Sequence, residues 1–147
     1  MAKFVYRMQN ILDIKSKMEV QARNSFAIAR NKLTEEENKL DRLFEQKKDF
    51  ENLYRDSLSG LIDINEINQC KLAIEYSKNQ IKRQLIEVKV AGKNLEMAQN
   101  RLNEVMKERK IHEKLKEKSF DEFLKDLSDQ EKKEIDELVS FRFENNN

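Results

Sequence analysis

An all-α fold, a long antiparallel two-helix coiled-coil hairpin with the longer helix second, is what this sequence predicts, and three observations predict it. There is no Pro and there are only 2 Gly in 147 residues. Average usage would bring about seven Pro, so sandwiches, barrels and doubly wound sheets lack their turn chemistry. Charged residues make up 39% and hydrophobic residues 38% of the chain. That apolar share is too small for a thick core and sufficient for a narrow seam between helices. Apolar positions recur with a 3.5-residue period over two long segments, the mark of a coiled-coil seam.

The first helix is expected over residues 3–58. Its apolar row is Phe4, Met8, Ile11, Met18, Ala22, Phe26, Ala29, Leu33, Leu40, Leu43, Phe50 and Tyr54, with Lys15, Glu36 and Lys47 in the slots between. Two steps of four in succession, from Met18 through Ala22 to Phe26, read as a stutter that locally unwinds a supercoil. A turn follows at 59–63. Gly60 suits a left-handed helix C-terminus, and Asp63 stands three residues before Glu66, the spacing of a capping box. A short link of this kind favours antiparallel neighbours.

The second helix is expected over 64–140. Ile67, Ile74, Ile81, Val88, Leu95 and Leu102 fall seven apart, and smaller or mixed residues such as Cys70, Ser77, Ala91 and Ala98 alternate with them. Large against small lets two helices approach closely. With the turn centred near residue 61, partners sum to about 122 and Phe4 falls opposite the region of Lys118. The residues beyond Ser119 then have no partner. Ser119 with Glu122, and Ser128 with Glu131, repeat the capping-box spacing, so a bend or restart is expected near 119 or 128. Phe120, Phe123, Leu124 and Leu127 form one amphipathic face of this tail, and Ile135, Leu138, Val139 and Phe141 another. Residues 144–147 should be frayed. The whole chain, 1–147, reads as one coiled-coil element.

Catalytic, cofactor-binding and metal-ligating residues are not expected. His112 is the only His and Cys70 the only Cys, whereas a zinc site wants several such ligands at set spacing. His112 reads as a surface residue on a charged helix and Cys70 as a small residue in the seam. A phosphate-binding Gly loop is not possible with glycines at 60 and 92 only. Lys and Arg number 29 against 28 Asp and Glu, without the basic excess of a nucleic-acid binder. No apolar run suits a signal peptide or a membrane span, and a single Cys fits a reducing compartment. A cytoplasmic protein without small-molecule substrate is expected.

Interaction surfaces remain. Phe44, Leu53, Tyr54 and Tyr76 sit on or beyond the seam's edge; they either widen the buried stripe or form an aromatic patch for a partner. The stretch Lys3-Phe4-Val5-Tyr6-Arg7-Met8 with Ile11, Leu12 and Ile14 is apolar on more than one face. A wide packing stripe explains it better than a membrane-surface helix.

The opening Lys3-Phe4-Val5-Tyr6-Arg7-Met8-Gln9-Asn10-Ile11-Leu12-Asp13-Ile14-Lys15 resembles the start of flagellar FliJ proteins. Gln130-Glu131-Lys132-Lys133-Glu134-Ile135-Asp136-Glu137, followed by Arg142-Phe143, is similar to that family's close. The resemblance implies a non-enzymatic, cytoplasmic component of the flagellar type III export apparatus. Such proteins form an antiparallel coiled coil similar to the gamma-subunit stalk of rotary ATPases. They bind the hexameric export ATPase and promote its ring assembly, contact the large export-gate membrane protein, and escort export chaperones. Carried onto this chain, the ATPase end would comprise Phe4, Met8, Ile11, Gln130, Lys133, Asp136, Glu137 and Arg142. The gate or chaperone surface would comprise Phe50, Tyr54, Arg55, Ile74 and Tyr76. A stalk of an injectisome-type secretion system, or a homo-oligomeric scaffold or hairpin chaperone, are the alternative readings.

Overall fold

The computed structural model describes residues 3–145, apart from the side chains of Ile135 and of residues 143–145. Two helices, α1 (Gln9–Ser57) and α2 (Ile64–Asn145), pack against each other as an all-α coiled-coil hairpin, with no strand among the described residues. The chain divides into two compact units. One combines Met1–Gln21 with Asn103–Asn147, and the other is Ala22–Leu102.

The burial pattern along α1 follows alternating steps of three and four: Leu12, Lys15, Glu19, Ala22, Phe26, Ala29, Leu33, Glu36, Leu40, Leu43, Lys47, Phe50, Tyr54 and Ser57 are all buried or half-buried. The stutter expected at Met18 is therefore absent from this row. Glu19 occupies the position, and a search for apolar residues passes over a buried glutamate. Along α2 the row runs through Ile67, Cys70, Ile74, Ser77, Ile81, Gln84, Val88, Ala91, Leu95, Ala98, Leu102 and Val105. It continues through Arg109, His112, Lys116, Ser119 and Phe123. Alternation of three and four keeps one face of each helix toward its neighbour.

In the unit Ala22–Leu102 the pairing is antiparallel. The turn follows Ser57, and Glu36 meets Gln84. Each open end of the turn is chemically closed. The Ser57 and Ser59 hydroxyls donate to the Tyr54 and Asp56 carbonyls at 2.7 and 2.9 Å, and the Leu58 amide donates to the Arg55 carbonyl at 3.2 Å. These are carbonyls that a helix end leaves unsatisfied. Gly60 takes φ +86°. Asp63 then caps α2 by accepting from the Asn65 amide at 3.0 Å, one residue before the amide a capping box uses.

Glu36 is 4% exposed in the seam of this unit. Lys32 and Lys39 reach its Oε1 at 2.9 and 3.5 Å. The Gln84 amide donates to its Oε2 and, at 3.0 Å, to its backbone carbonyl. The hydrogen bond from Lys32, and then that from Gln84, hold the Glu36 carboxyl down at about 2, against the opposing effect of burial.

In the unit that holds both chain ends, order along the two segments is again reversed. Phe4 meets Phe120 and Phe123, and Lys15 Nζ donates to Glu108 Oε2 at 2.9 Å. Glu19 pairs with Arg109, whose Nη1 also reaches Glu113 Oε1 at 2.7 Å. Val105, 1% exposed, is the most buried apolar side chain here. α1 starts at Gln9, where the periodicity suggests residue 3. The reason is local: Tyr6 is 9% exposed and Phe4 is half-buried, while Val5 between them is 78% exposed. Residues i and i+2 do not share a helix face, but they do share one face of an extended chain. The chain therefore runs without helix through Tyr6 and turns at 7–8, with the Gln9 amide donating to the Tyr6 carbonyl at 3.2 Å.

α2 passes through Ser119 and Ser128 as helix, so neither serine restarts it. Both lie within favourable helical sequence, and an interior Ser costs only a fraction of a kcal/mol, about 0.5 relative to Ala. The helix continues past 140 to Asn145, so of residues 144–147, where fraying is expected, the first two are helical and the last two lie outside the described residues.

Two outcomes follow from this geometry. A Cβ on Gly60 would meet no atom within 4 Å, so Gly60→Ala introduces only left-handed backbone strain. Urea unfolding should show a loss of about 1–2 kcal/mol, and Gly60→Asn a smaller one. The depressed Glu36 carboxyl binds its proton less readily folded than unfolded. Its contribution is therefore whole above the ordinary carboxylate range and is lost as pH falls toward about 2. Urea midpoints measured across that range should fall with pH, and the fall should be shallower in Glu36→Gln.

Candidate protein-interaction surfaces

A two-helix seam leaves most of each helix facing water, and recognition has to use those outward faces. The residues singled out from sequence separate into three environments.

The first environment is the N-terminal strap against α2. Phe4 lies edge-on to Phe120, with ring centroids 5.1 Å apart, and is tilted against Phe123 at 5.4 Å. Ile11 is half-buried and Met8 exposed. A cleft of about 480 Å³ opens beside them, lined by Phe4, Leu12, Glu113, Lys116, Glu117 and Phe120. Within the stretch 3–14 Tyr6 and Leu12 are buried and Phe4 and Ile11 half-buried, whereas Val5, Met8 and Ile14 are exposed, so the packing stripe is narrower than the sequence suggests. His112 belongs to the same unit. It is not the surface residue the sequence suggests: it sits in the α2 seam row, half-buried, and its Nδ1 is enclosed with no hydrogen-bond partner among the described residues. The row is hard to see in the sequence here, because Arg109 and Lys116 stand where Ile and Leu stood earlier.

The second environment is the end of α2. Gln130, Lys133, Asp136, Glu137 and Arg142 are all exposed. So are Leu138, Val139 and Phe141. Leu138 and Phe141 line a shallow cleft with Glu134 and Glu137. The structure brings Phe4 to Phe120 and Phe123. From Ser119 to Asn147 there are four basic and nine acidic residues, a net of 4 − 9 = −5.

The third environment lies around the turn, in the unit Ala22–Leu102. Phe50, Tyr54 and Ile74 are half-buried in the seam rows. Arg55 is exposed. Of the edge residues, Tyr76, Leu53 and Phe44 are open to solvent, whereas Tyr54 widens the seam. Leu72, one turn before Tyr76, is equally exposed and was not evident as a surface residue. Its signal is the spacing of four to Tyr76 on a face two positions away from the seam. Gln80 Nε2 donates to the Tyr76 hydroxyl at 2.9 Å and steadies the ring.

Among the described residues, no three His, Cys, Asp or Glu side chains converge to hold a metal ion. Cys70 is a half-buried free thiol in the α2 seam row. No helix among them is long and apolar enough to cross a membrane.

The family model for the flagellar FliJ protein matches residues 4–147. The chain belongs to the FliJ family. That membership makes it related to a non-catalytic component of type III export. Among solved structures, a protein described as a YscO homolog, CT670 from Chlamydia trachomatis, has a similar fold. The TM-score is 0.75 at 24% identity, covering 95% of this chain and 94% of that one. No curated protein matches the chain in sequence. Within this FliJ chain, the Phe4 contact is a direct test of how the strap is held. Phe4→Ala removes two ring–ring contacts, each contributing about 0.5–1.5 kcal/mol beyond area burial. Thermal unfolding should show a destabilised protein of unchanged helicity below the transition, and Phe4→Leu should recover part of the loss.

Proposed function

We propose that this protein is the stalk of a flagellar type III export apparatus, a non-enzymatic part that binds the hexameric export ATPase and aids its ring assembly. It would act in the cytoplasm, at the inner face of the membrane beneath the flagellum. The observation that carries the reading is the family match across residues 4–147. Physical support comes from the end of α2. Leu138, Val139 and Phe141 stand exposed beyond Leu127, the last half-buried side chain among the described residues. Exposed large apolar residues on a charged helix are what a protein partner covers. The ATPase surface is accordingly the end of α2 with Gln130, Lys133, Asp136, Glu137 and Arg142, and the strap at Phe4, Met8 and Ile11 orders the neighbouring segment of α2.

The gate protein or an export chaperone would dock nearer the turn. Tyr76 is the best of the residues assigned to it, with Arg55 beside it in chemistry if not in contact, whereas Phe50, Tyr54 and Ile74 serve the seam. A stalk of an injectisome-type system is the second reading, favoured by the fold shared with a YscO homolog; the genes beside this one distinguish the two.

The test is co-purification of the full chain with the export ATPase of the same cell, with the ATPase rate measured alongside. Wild type should associate and raise the rate. The triple variant Leu138→Ser, Val139→Ser, Phe141→Ser should bind at least about tenfold more weakly, a loss of about 1.4 kcal/mol or more, and keep its helical spectrum. A wild-type chain that neither associates nor changes the rate contradicts the stalk reading.

A further inference from the structure

The outer face of α2 between residues 82 and 97, in the unit Ala22–Leu102, carries a patch that neither the seam nor the stalk reading uses. Ile86 is 61% exposed, Val90 47% and Met97 69%. Each residue advances about 100° around a helix. On that count Ile86, Met97 and Val90 fall within about 40° of one another, and the centre of the stripe lies about 160° from the seam row of Ile81, Gln84, Val88, Ala91 and Leu95. The stripe is open to solvent among the described residues.

Its borders have one sign. Lys82, Lys89 and Lys93 flank one side and Arg83 the other, all exposed. Together with the apolar residues they span an arc of about 120° that contains no acidic side chain between 82 and 97. Glu87 and Glu96 lie just beyond it. Among the described residues none of the four cations makes an ion pair. The spacing 86, 90, 93, 97 repeats the four-three-four steps of a coiled-coil seam, with the aliphatic stem of Lys93 filling the third slot.

We infer that this face is a docking surface for an acidic amphipathic helix of a partner protein. The apolar stripe takes a partner's apolar row, and the Lys and Arg borders take glutamates or aspartates beside it. A stripe that is narrow, about three turns long and helically spaced fits a helix better than a flat bilayer, which would want a wider apolar arc. A second copy of the chain fits poorly, since it would bring the same four cations to the same contact. The inference is independent of ATPase binding, which the Leu138, Val139 and Phe141 face serves.

The probe is a labelled three-heptad helical peptide with Leu in its core positions and Glu at the flanks, titrated with the full chain and followed by fluorescence anisotropy. The peptide should bind. Binding should weaken at least tenfold in Lys82→Glu, Lys89→Glu, Lys93→Glu, and likewise in Ile86→Gln, Val90→Gln, Met97→Gln. Raising salt from about 0.1 M to about 1 M cuts the screening length from about 10 Å to about 3 Å, and should weaken binding similarly. Lys107→Glu, Lys110→Glu, Lys114→Glu changes the same charge elsewhere and should leave binding unaltered. The same peptide with Lys at the flanks should not bind. No binding, or equal loss in the Lys107, Lys110 and Lys114 variant, overturns the inference. So does binding to phosphatidylglycerol vesicles without binding to the peptide, or self-association of the chain that the Ile86, Val90 and Met97 variant abolishes. Helicity of each variant, read by circular dichroism, separates lost docking from lost folding.

Discussion

Side-chain interlocking along a seam only one row wide on each helix is the interaction on which everything else depends. A helix of 49 or 82 residues gains most of its stability in a protein from an apolar face that another element covers. Here that face is thin, and much of it is small or polar: Cys70, Ser77, Ala91 and Ala98 on α2, Lys15, Glu19 and Glu36 on α1. Small residues let the backbones approach. Charged residues add little net stability when buried and paired. What they add is discrimination between registers. A slip of one heptad in the unit Ala22–Leu102 would take Glu36 from Gln84 to Ser77 or Ala91. In the other unit it would take Lys15 from Glu108 to Arg101 or Leu115, and Glu19 from Arg109 to Leu102 or Lys116. Apolar rows alone would tolerate several of these slips; the charged layers do not.

The same division decides what was legible in the sequence. The two helices, the turn at Gly60, the antiparallel sense and the Ile67-to-Leu102 row all follow from apolar periodicity and from the scarcity of Gly and Pro. The polar slots at Lys15, Glu36 and Lys47 were also visible, because apolar neighbours bracket them at regular steps. Glu19 and the stretch from Arg109 to Lys116 were not, since hydropathy gives no weight to a charge that is buried against its partner. His112 was misplaced for that reason. The start of α1 was misplaced for another: Phe4 and Tyr6 can belong to a helical row or an extended one, and only the position of Phe120 and Phe123 chooses between them. Surface residues are the least legible, because an exposed Leu72 or Ile86 looks like a core residue until the seam is known.

A seam so economical leaves three kinds of outward surface, and each has a different chemistry. The end of α2 is acidic and carries exposed Leu, Val and Phe. The face at Leu72 and Tyr76 is aromatic and near neutral. The face from Lys82 to Met97 is basic and aliphatic. A non-catalytic export component has no pocket chemistry to offer. Charge and apolar character set the three surfaces apart.

The central claim is that one chain pairs with itself in a single antiparallel register. Oxidation of the variant Leu43→Cys, Ser77→Cys, with the native Cys70 retained, puts two registers in direct competition. Residues 43 and 77 are related to the Glu36–Gln84 pair by one heptad on each helix, whereas 43 and 70 would meet only after a one-heptad slip. Peptide mapping of the oxidised monomer should find the 43–77 bridge. A dominant 43–70 bridge, or bridges formed between chains, would contradict the account.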